Sequence, residues 1–370
     1  MADTYKIIFT PAEPFFFGNE KSLLFNGSNV TSQYSASYFM KSEEMPSQSS
    51  ILGVLRYLFL VHKNHNFKYN ETQKDDNGKA VGGKSFDIDS AEKQDFGIIK
   101  KISPIFIQGT TTSGESIRLI PTPFDHKKEV PSEDDEKVKV PTTHYTPFND
   151  YSEPLTTIDG DKIYARDFDV KAGITDSFMS LSDRKIYSKK DIYESDLRVG
   201  INRSAKKDGF FKKEYKMLRK GFSFAVYAEL DIDTYNELAK ETPIDLTKAQ
   251  SVFMGQGKSA FSVMFIKEEN TLIDDVKKAL KGHRKCVYCL GDAFISSNPY
   301  EDTLFAVSES KDYRAFKTVS QGNVEKGSVL HRLLKAGSIF LSESPQKWAE
   351  SHSNTKANII GFNTFITIGE

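Results

Sequence analysis

A short polar segment that leads directly into an apolar run constrains this chain more than any other feature. Pro46 is followed by Ser47, Gln48, Ser49 and Ser50, and apolar residues then recur at helical spacing, namely Ile51, Leu52, Leu55, Leu58 and Phe59. This spacing predicts an amphipathic helix over about residues 47–63 that packs on a sheet. Its start offers free backbone N–H groups and no carboxylate, which suits a phosphate. Ser47 equally suits an ordinary N-cap.

A second segment concentrates positive charge in a chain that is otherwise nearly neutral. The 370 residues carry a formal net charge of −1, yet residues 198–220 hold nine basic and two acidic side chains, a local charge of +7. Phe210, Phe211 and Tyr215 lie among these charges. Cations for phosphates and rings for bases are what single-stranded nucleic acid requires. The same pattern also fits a solvated hairpin whose rings pack inward, and both interpretations stay open.

The order of strand and helix signals predicts an α+β protein built from two related modules. The predicted strands lie at residues 5–9, 102–107, 116–120, 221–230, 260–266, 285–290, 336–341 and 361–369, and a short second helix at 271–281. Residues 65–94 are predicted to be an inserted loop, and Phe15, Phe16 and Phe17 are predicted to be core. The predicted division is an N-terminal module, a segment of inserted hairpins and loops, and a C-terminal module, at residues 1–125, 126–200 and 201–370.

Composition excludes several classes of protein. A hydrophobic content of 38% with 27% charged residues is typical of a soluble globular protein. No apolar run approaches the ~18–20 residues of a membrane helix, and the first residues have no signal-peptide pattern. We therefore expect a cytoplasmic protein without membrane contact. Cys286 and Cys289 form a lone C-x-x-C on a predicted strand, where residues three apart face opposite sides, so we expect neither a metal nor a cofactor.

Four segments, taken in their order along the chain, resemble the RAMP superfamily of CRISPR proteins. They are P-S-x-S-S-I-x-G-x-x-R at residues 46–56, R-V-G-I-x-R running into D-G-F-F-x-x-E-Y at 198–215, M-G-Q-G-K at 254–258 and G-F-N at 361–363. Each segment alone is a weak signal, and their order carries the specificity. Together they resemble subunit three of the type III-B (Cmr) effector complexes.

This resemblance implies two ferredoxin-like (RRM-type) modules with long inserted hairpins and loops. It also implies a non-catalytic subunit that binds the 5′ handle of the CRISPR RNA for antiviral defence. The implied partners are a large polymerase- or cyclase-like subunit, the backbone RAMP subunits and, indirectly, the target RNA. The residues that the resemblance implies as RNA contacts are Ser47, Gln48, Ser49, Ser50, Arg56, Arg198, Asn202, Arg203, Lys206, Lys207, Gly255, Gln256, Gly257 and Lys258.

A metal-independent RAMP endoribonuclease that processes repeat RNA is the alternative function. Such cleavage uses acid–base chemistry, usually with a histidine near the RNA backbone. The chain offers His62, His65, His126, His144, His283, His331 and His352. None lies in a motif that pairs it with a second base or a nucleophile, so we expect no catalytic residue. A scaffold that contacts only proteins is a third possibility, and the +7 segment argues against it.

Overall fold

The structure is a computed structural model that groups the chain into two compact units. It describes residues 2–18, 23–25, 37–62, 77–111, 114–126, 144–147, 156–158, 162–164, 174, 176–202, 209–239, 244–281, 285–295, 297–318 and 324–369. Unit 1 comprises Met1–Ile105, Ile192–Glu269 and Asp312–His331, and unit 2 comprises Phe106–Asp191, Asn270–Lys311 and Arg332–Glu370. Each unit is therefore assembled from three separate stretches of chain.

Short helices and many strands give a mixed α+β fold dominated by antiparallel sheets, as predicted. The helices are α1 (Gln48–His62), α2 (77–81), α3 (Lys189–Ile192), α4 (Ile232–Ala239), α5 (Leu272–Ala279), α6 (Pro345–Ser351) and α7 (Thr355–Asn358). The strands up to residue 202 are β1 (Asp3–Pro11), β2 (Leu23–Phe25), β3 (Ser37–Lys41), β4 (Ile99–Ile102), β5 (Phe106–Thr110), β6 (Ser116–Pro121), β7 (Thr156–Ile158), β8 (Lys162–Tyr164), β9 (Ser177–Ser180), β10 (Ile186–Ser188) and β11 (Tyr193–Asn202). The later strands are β12 (Gly209–Leu218), β13 (Phe222–Leu230), β14 (Gln250–Met254), β15 (Ser259–Lys267), β16 (Cys286–Cys289), β17 (Ala293–Phe294), β18 (Phe305–Val307), β19 (Ser310–Tyr313), β20 (Phe316–Thr318), β21 (Val324–Lys326), β22 (His331–Leu334), β23 (Ile339–Leu341) and β24 (Phe365–Ile368). None of the helices in these ranges is long and apolar enough to span a membrane.

The first strand lies at the centre of the main sheet of unit 1. β1 pairs antiparallel with β13 on one side and with β15 on the other. β4 pairs with β13 and β14 pairs with β15, both antiparallel, so the order is β4–β13–β1–β15–β14. Ile7 and Phe9 of β1 are fully buried. Two segments more than 200 residues downstream in sequence thus flank β1.

One face of this sheet is covered by α1 and α4. Ile51, Leu55 and Phe59 of α1 are fully buried, which confirms the amphipathic helix. The Phe59 ring lies 6.4 Å from that of Phe265 on β15 and 5.2 Å from that of Tyr235 on α4. The Tyr235 hydroxyl donates to the Phe59 carbonyl at 2.7 Å, and burial raises the pKa of Tyr235 to about 12. Burying one such aromatic side chain stabilises the fold by about 1.5–3 kcal/mol.

A second sheet of unit 1 contains the long hairpin of β11 and β12. These strands pair antiparallel over ten residues, from Tyr193 opposite Leu218 to Asn202 opposite Gly209. β12 also pairs with β3 in parallel, and β3 pairs with β2, so the order is β11–β12–β3–β2. Within the described residues β11 is therefore an edge strand. β20 and β21 form a separate two-stranded ribbon in the same unit.

Unit 2 combines short antiparallel sheets around its own core. β9 pairs with β6 and β10, and β6 pairs with β5, while a second sheet has the order β18–β23–β16–β24. β17 pairs with β22 and β7 with β8. The core of the second sheet contains Val287, Cys289, Phe340 and Trp348, and the Phe340 and Trp348 rings stack at 4.6 Å.

The asparagine of the G-F-N segment joins separate segments of this core by hydrogen bonds. Asn363 has a left-handed backbone, with φ of +48°. Its side-chain oxygen accepts the Phe294 N–H at 2.9 Å, and its Nδ2 donates to the Phe294 carbonyl at 2.7 Å and to the His352 carbonyl at 3.1 Å. The segment singled out by the family resemblance therefore has an internal structural role.

Most of the predicted elements are confirmed, and the exceptions have physical reasons. The predicted strand at 102–107 is split, because Pro104 has no N–H to donate: β4 ends at Ile102 and β5 begins at Phe106. The sequence analysis did not predict α2, α4 or β14. The prediction of a loop over residues 65–94 is wrong at 77–81, where α2 forms and buries Ala80 and Val81. The predicted strands 336–341 and 361–369 are both shorter, with β23 beginning at Ile339 and β24 at Phe365. In each case a residue with positive φ precedes the strand, Gly337 at +102° and Asn363 at +48°, and extended backbone requires negative φ. The division at residues 125 and 200 stays a prediction.

Candidate nucleic-acid interface

The helix-start cluster, defined as Ser47, Gln48, Ser49 and Ser50, is held together by its own hydrogen bonds. The Ser47 hydroxyl lies 3.0 Å from that of Ser49 and 2.8 Å from that of Ser50. It also accepts the Ser50 backbone N–H at 3.2 Å, which confirms Ser47 as the N-cap of α1. The Tyr313 hydroxyl donates to the Ser49 hydroxyl at 3.1 Å. An additional contact of this cluster with a phosphate stays a prediction.

Gln48 and Arg56 direct their side chains to backbone carbonyls. The buried Gln48 amide donates to the Ser103 carbonyl at 2.8 Å. The Arg56 guanidinium donates to the carbonyls of Val81 at 2.8 Å and Gly82 at 2.9 Å, and burial lowers its pKa. Both side chains therefore join separate segments of unit 1, and their predicted RNA contacts stay predictions.

A row of cations and rings lies where the β11–β12 hairpin meets the aromatic turn after β1. We call this row the cation–aromatic cluster, and its members are Arg198, Lys213, Tyr215, Phe16 and Phe211. The Arg198 guanidinium lies 4.3 Å from the centroid of the Tyr215 ring. Lys213 Nζ lies 5.2 Å from the Phe16 centroid and 5.5 Å from that of Phe211. All three distances are within the range of cation–π attraction.

Strand geometry explains why these side chains meet. Alternate residues of β12 share one face, which groups residues 211, 213 and 215. Arg198 lies directly opposite Lys213 in the antiparallel register. The turn is docked on the hairpin by two backbone hydrogen bonds, from Phe15 N–H to Lys216 O at 2.7 Å and from Lys216 N–H to Phe15 O at 2.9 Å. The ring of Phe16 then lies 5.4 Å from that of Tyr215.

The glycine loop, defined as residues 255–258, joins β14 to β15 and approaches the same turn. The Gln256 N–H donates to the Phe16 carbonyl at 2.8 Å. Gly255 has φ of +78°, and a Cβ there would lie 2.6 Å from the Phe16 carbonyl oxygen. Glycine is therefore required at this position. A Cβ on Gly257 would lie 4.0 Å from the Tyr215 hydroxyl, so the loop also reaches the cation–aromatic cluster.

The structure thus brings together two of the three predicted groups of residues. Phe16 contacts both the glycine loop and the hairpin that carries Arg198. Phe15, Phe16 and Phe17 are buried, which confirms them as core. By contrast, the Arg198 side chain is half exposed and all four residues of the glycine loop are exposed. The result is an open polar surface on a rigid aromatic base.

Two carboxylates partly neutralise the hairpin. Asp196 accepts a hydrogen bond from Arg198 Nε at 2.8 Å. Glu214 accepts from Lys216 Nζ at 2.6 Å and from the Ser195 hydroxyl at 2.9 Å. Burial alone raises the pKa of Glu214, but the Lys216 ammonium and the Ser195 hydroxyl outweigh burial and hold its pKa below the ordinary value. Glu214 is therefore ionised at neutral pH.

The remaining predicted contacts that follow Arg198 in the sequence are Asn202, Arg203, Lys206 and Lys207. Asn202 lies opposite Gly209 at the last pair of the register. Arg203, Lys206 and Lys207 lie outside the described residues, so their predicted RNA contacts stay predictions. The list of predicted contacts omitted Lys213, Phe16 and Tyr215. The alternation of residues 211, 213 and 215 was the available signal, but the position of Phe16 depends on a pairing across 200 residues of sequence.

The C-x-x-C motif lies within unit 2, on a buried strand of its core. Cys286 and Cys289 form the ends of β16, which confirms the predicted strand, and both are buried. Burial raises the pKa of both thiols. In the part of the chain that the structure describes, no group of three or more His, Cys, Asp or Glu side chains is placed to hold a metal ion.

Several solved structures are similar to the chain at low sequence identity. One is a chain of the type III-B Cmr-beta complex bound to cognate target RNA and AMPPnP, with 13% identity, a TM-score of 0.48 and coverage of 98% of this chain and 99% of that chain. Another is from a Csm1–Csm4 cassette in complex with AMPPNP, with 10% identity, a TM-score of 0.34 and coverage of 92% and 88%. A third is from the apo state of Cmr-beta, with 14% identity, a TM-score of 0.28 and coverage of 72% and 98%. A search of curated proteins gives no significant match.

The sequence itself identifies the family. Residues 7–369 match the family described as CRISPR-associated protein (Cas_Cmr3), so the match spans nearly all of both units. This agrees with the family resemblance of the four ordered segments, which extend from residue 46 to residue 363. The chain therefore belongs to the Cas_Cmr3 family of CRISPR-associated proteins and is a subunit of a type III-B effector complex.

Proposed function

We propose that this effector subunit is non-catalytic and binds the 5′ handle of the CRISPR RNA in antiviral defence. The observation that carries the proposal is the junction of the cation–aromatic cluster with the glycine loop. There the guanidinium of a half-exposed arginine lies over a tyrosine ring, and the exposed loop lies beside it. Single-stranded RNA is recognised by such combinations of stacking surfaces, cations and backbone groups.

Arg198 has the geometry to contact both parts of a nucleotide. Its guanidinium carbon lies over the Tyr215 ring, 4.3 Å from the ring centroid, and half of the side chain is exposed. A planar guanidinium stacks on a base with its free face and donates N–H groups to phosphate at its edge. Among the described residues, its Nε donates to Asp196 at 2.8 Å, and we assign its terminal nitrogens as the donors to RNA.

The glycine loop supplies the second part of the proposed site. Gly255, Gly257 and Lys258 all have positive φ, at +78°, +116° and +56°. Small residues in such conformations let a ligand approach the backbone closely. Lys258 adds a cation at the exposed end of the loop. We propose that this loop contacts a phosphate adjoining the base on Arg198.

We also propose that the main sheet of unit 1 belongs to a ferredoxin-like module. Its chain order is β1, α1, β4, then β13, α4 and β15, which is the β-α-β-β-α-β succession. The spatial order β4–β13–β1–β15 supports the proposal, since the first strand lies between the third and the fourth. β14 is then an added edge strand, and β11 with β12 belongs to an insertion. A second such module remains proposed from the family resemblance.

Family membership supports the rest of the proposal. We assign the large polymerase- or cyclase-like subunit and the backbone RAMP subunits as protein partners, and the target RNA as an indirect one. A cytoplasmic location without a bound cofactor is part of the same proposal. Co-purification of the tagged chain from its host tests these assignments. Recovery of RNAs with one shared repeat-derived 5′ end and of a large cyclase-like protein is expected.

The proposed RNA site is tested with substitutions of Arg198 in the full chain. Arg198→Ala removes the stack and the charge, whereas Arg198→Lys keeps the charge. Arg219→Ala is the matched control, because Arg219 is also half exposed and pairs with Glu194 at 2.9 Å beyond the end of β12. The probes are a labelled single-stranded RNA with the repeat-derived 5′ segment and a scrambled RNA of equal length.

We expect Arg198→Ala to weaken binding about tenfold and to reduce the salt slope by about 0.7, the value for one phosphate on a single strand. Arg198→Lys should restore the salt slope but not the affinity. Equal losses of RNA affinity in Arg198→Ala and Arg219→Ala would mean that the RNA is attracted by the positive charge of the hairpin in general and not by a defined site, which would reject this proposal.

The contacts of His352 and His126 support the non-catalytic assignment, whereas His331 Nε2 lies 3.2 Å from a carboxylate oxygen of Asp89, so His331 is the first histidine to replace in the test. His352 stacks on Trp348 at 4.2 Å and its Nδ1 lies 2.8 Å from the Trp348 carbonyl. His126 Nδ1 lies 3.1 Å from the Thr146 carbonyl. Incubation of the chain with repeat RNA and EDTA tests the alternative. Cleavage that is lost on replacing one histidine would establish the endoribonuclease and exclude the non-catalytic assignment.

A further inference from the structure

An aromatic side chain outside the cation–aromatic cluster is exposed on the edge strand beside the glycine loop. Phe253 on β14 has 60% of its surface exposed, while its neighbours Val252 and Met254 are buried. β14 is the last strand of the main sheet, and Phe253 precedes Gly255 by two residues. Its ring has no aromatic or cationic partner among the described residues. The edge of the sheet therefore has an exposed phenyl ring two residues before the glycine loop.

The surroundings of Phe253 leave that face accessible. Its partner across the hairpin is Ala260, and the next pair on the same face is Ser251 opposite Ser262. Alternation along β15 places Met264, which is 46% exposed, on the same side as Ala260 and Ser262. Small side chains next to a ring leave room for a flat group to lie against it. An exposed phenylalanine flanked by long side chains would not leave room for a flat group against its ring.

The positive charge of this hairpin is concentrated at its loop. Residues 246–267 contain Lys248, Lys258 and Lys267 and no Asp or Glu. Lys248 pairs with Asp245 at 3.1 Å and Lys267 with Asp3 at 2.6 Å, and Glu13 accepts the N–H of Ala260, the residue opposite Phe253, at 2.8 Å. Among the described residues Lys258 has no carboxylate partner, so phosphate is attracted to the loop. A nucleotide base on Phe253 with its phosphate toward Lys258 satisfies this arrangement.

We propose that Phe253 is a base-stacking residue that extends the RNA site beyond the glycine loop. The inference rests on the proposed function, and its ligand is an unpaired base of single-stranded RNA. Every base has a π-face, so stacking on a phenyl ring adds affinity with little sequence preference. The bound strand then follows the order Arg198, glycine loop, Phe253. An apolar protein surface is the competing occupant, and it would cover Met264 together with Phe253.

The test compares four variants of the full chain. Phe253→Ala removes the ring, Phe253→Leu keeps an apolar side chain without the ring, and Phe253→Trp keeps a ring. Met264→Ala is the control on the same face. The probe is the labelled single-stranded RNA with the repeat-derived 5′ segment, titrated at several salt concentrations, and Arg198→Ala is measured in parallel.

We expect Phe253→Ala and Phe253→Leu to raise the Kd about 5- to 150-fold, the range for loss of one base–aromatic stack. Phe253→Trp and Met264→Ala should bind as the unaltered chain does. The salt slope should not change, because no phosphate contact is removed.

The outcomes separate this inference from the proposed function. Normal binding by Phe253→Ala with weak binding by Arg198→Ala would reject the stacking residue and leave the proposed function intact. Normal binding by both would reject both. A loss of RNA affinity that is equal in Phe253→Ala and Met264→Ala would show an effect of the whole face and not of the ring, which would overturn the inference. Loss from both variants of a protein partner that the unaltered chain keeps after RNase treatment would assign the face to protein contacts, with the same consequence.

Discussion

The helix-start cluster and the cation–aromatic cluster are both polar motifs that stand out in the sequence, yet they use their polar groups differently. At the helix start, Ser47 caps α1, Gln48 bonds to Ser103 and Ser49 bonds to Tyr313. In the hairpin, Arg198 is stacked on Tyr215 but half of its side chain stays exposed. The first cluster has partners within the protein, and the second retains an open surface.

This difference shows why a polar motif does not by itself locate a binding site. A buried donor must have an acceptor, because an unsatisfied buried group costs about 1–3 kcal/mol. Gln48 therefore has a structural partner whatever else the cluster does. An exposed cation has no such requirement. Substitutions in the helix-start cluster, the glycine loop and the hairpin should therefore differ in their effects on stability and on RNA binding.

The largest effect is expected for Gly255→Ala in the glycine loop. The new Cβ would lie 2.6 Å from the Phe16 carbonyl oxygen, and φ of +78° is unfavourable for alanine. We expect the free energy of unfolding to fall by about 3 kcal/mol. RNA affinity should fall as well, because the loop cannot keep its contact with Phe16. Urea denaturation and RNA titration provide the two measurements.

Gly53→Ala is the matched control for that substitution. Gly53 is exposed within α1, and nothing lies within 4 Å of a Cβ placed there. Alanine should therefore raise the free energy of unfolding by about 0.5–1 kcal/mol. A similar loss of stability in both variants would show that the close approach at Gly255 is not the cause.

The next effect is expected for Gln48→Ala. The Ser103 carbonyl would lose a buried donor, and we expect the free energy of unfolding to fall by about 2 kcal/mol. Thermal or urea unfolding measures this loss. The Kd of the same variant for RNA tests the predicted contact of Gln48. Full stability would contradict a structural role for this amide.

A smaller effect is expected at the cap of α1. Ser47→Ala removes the side-chain acceptor for the Ser50 N–H and should lower the free energy of unfolding by about 1 kcal/mol. Ser47→Asp keeps an N-cap acceptor and favours the helix dipole, so stability should be retained. If phosphate lies at this helix start as predicted, Ser47→Asp alone should weaken RNA binding. Equal RNA binding by both variants would show that no RNA phosphate contacts this cluster.

The smallest effect concerns Glu214 in the hairpin and depends on pH. Because the pKa of Glu214 is held below its ordinary value of 4.5, its stabilisation is present above that value and is lost as the pH falls through the lowered pKa. Glu214→Gln should therefore unfold more easily at neutral pH and lose less stability on acidification. The expected difference is below about 1 kcal/mol. Identical pH profiles in urea denaturation would contradict this.

Local patterns predicted the elements of this fold better than the arrangement of the site. The period of Ile51, Leu55 and Phe59 predicted α1, and alternation predicted β13 and β15, because these signals are contained in short windows. The contact of Phe16 with the hairpin and the glycine loop depends on pairing between distant strands. Likewise, the partner of Gln48 is a backbone carbonyl 55 residues away, which leaves no pattern in the sequence.

The discontinuous make-up of the two units has a consequence for synthesis on the ribosome. β1 emerges first, but its neighbours β13 and β15 are translated more than 200 residues later, and the last stretch of unit 1 ends at His331. Until those strands are translated, β1 lacks both of its neighbours, and the apolar residues of β1 and α1 stay exposed to solvent. Transiently exposed apolar surface promotes aggregation. We therefore expect association with another subunit during translation to shorten the time for which this surface is exposed.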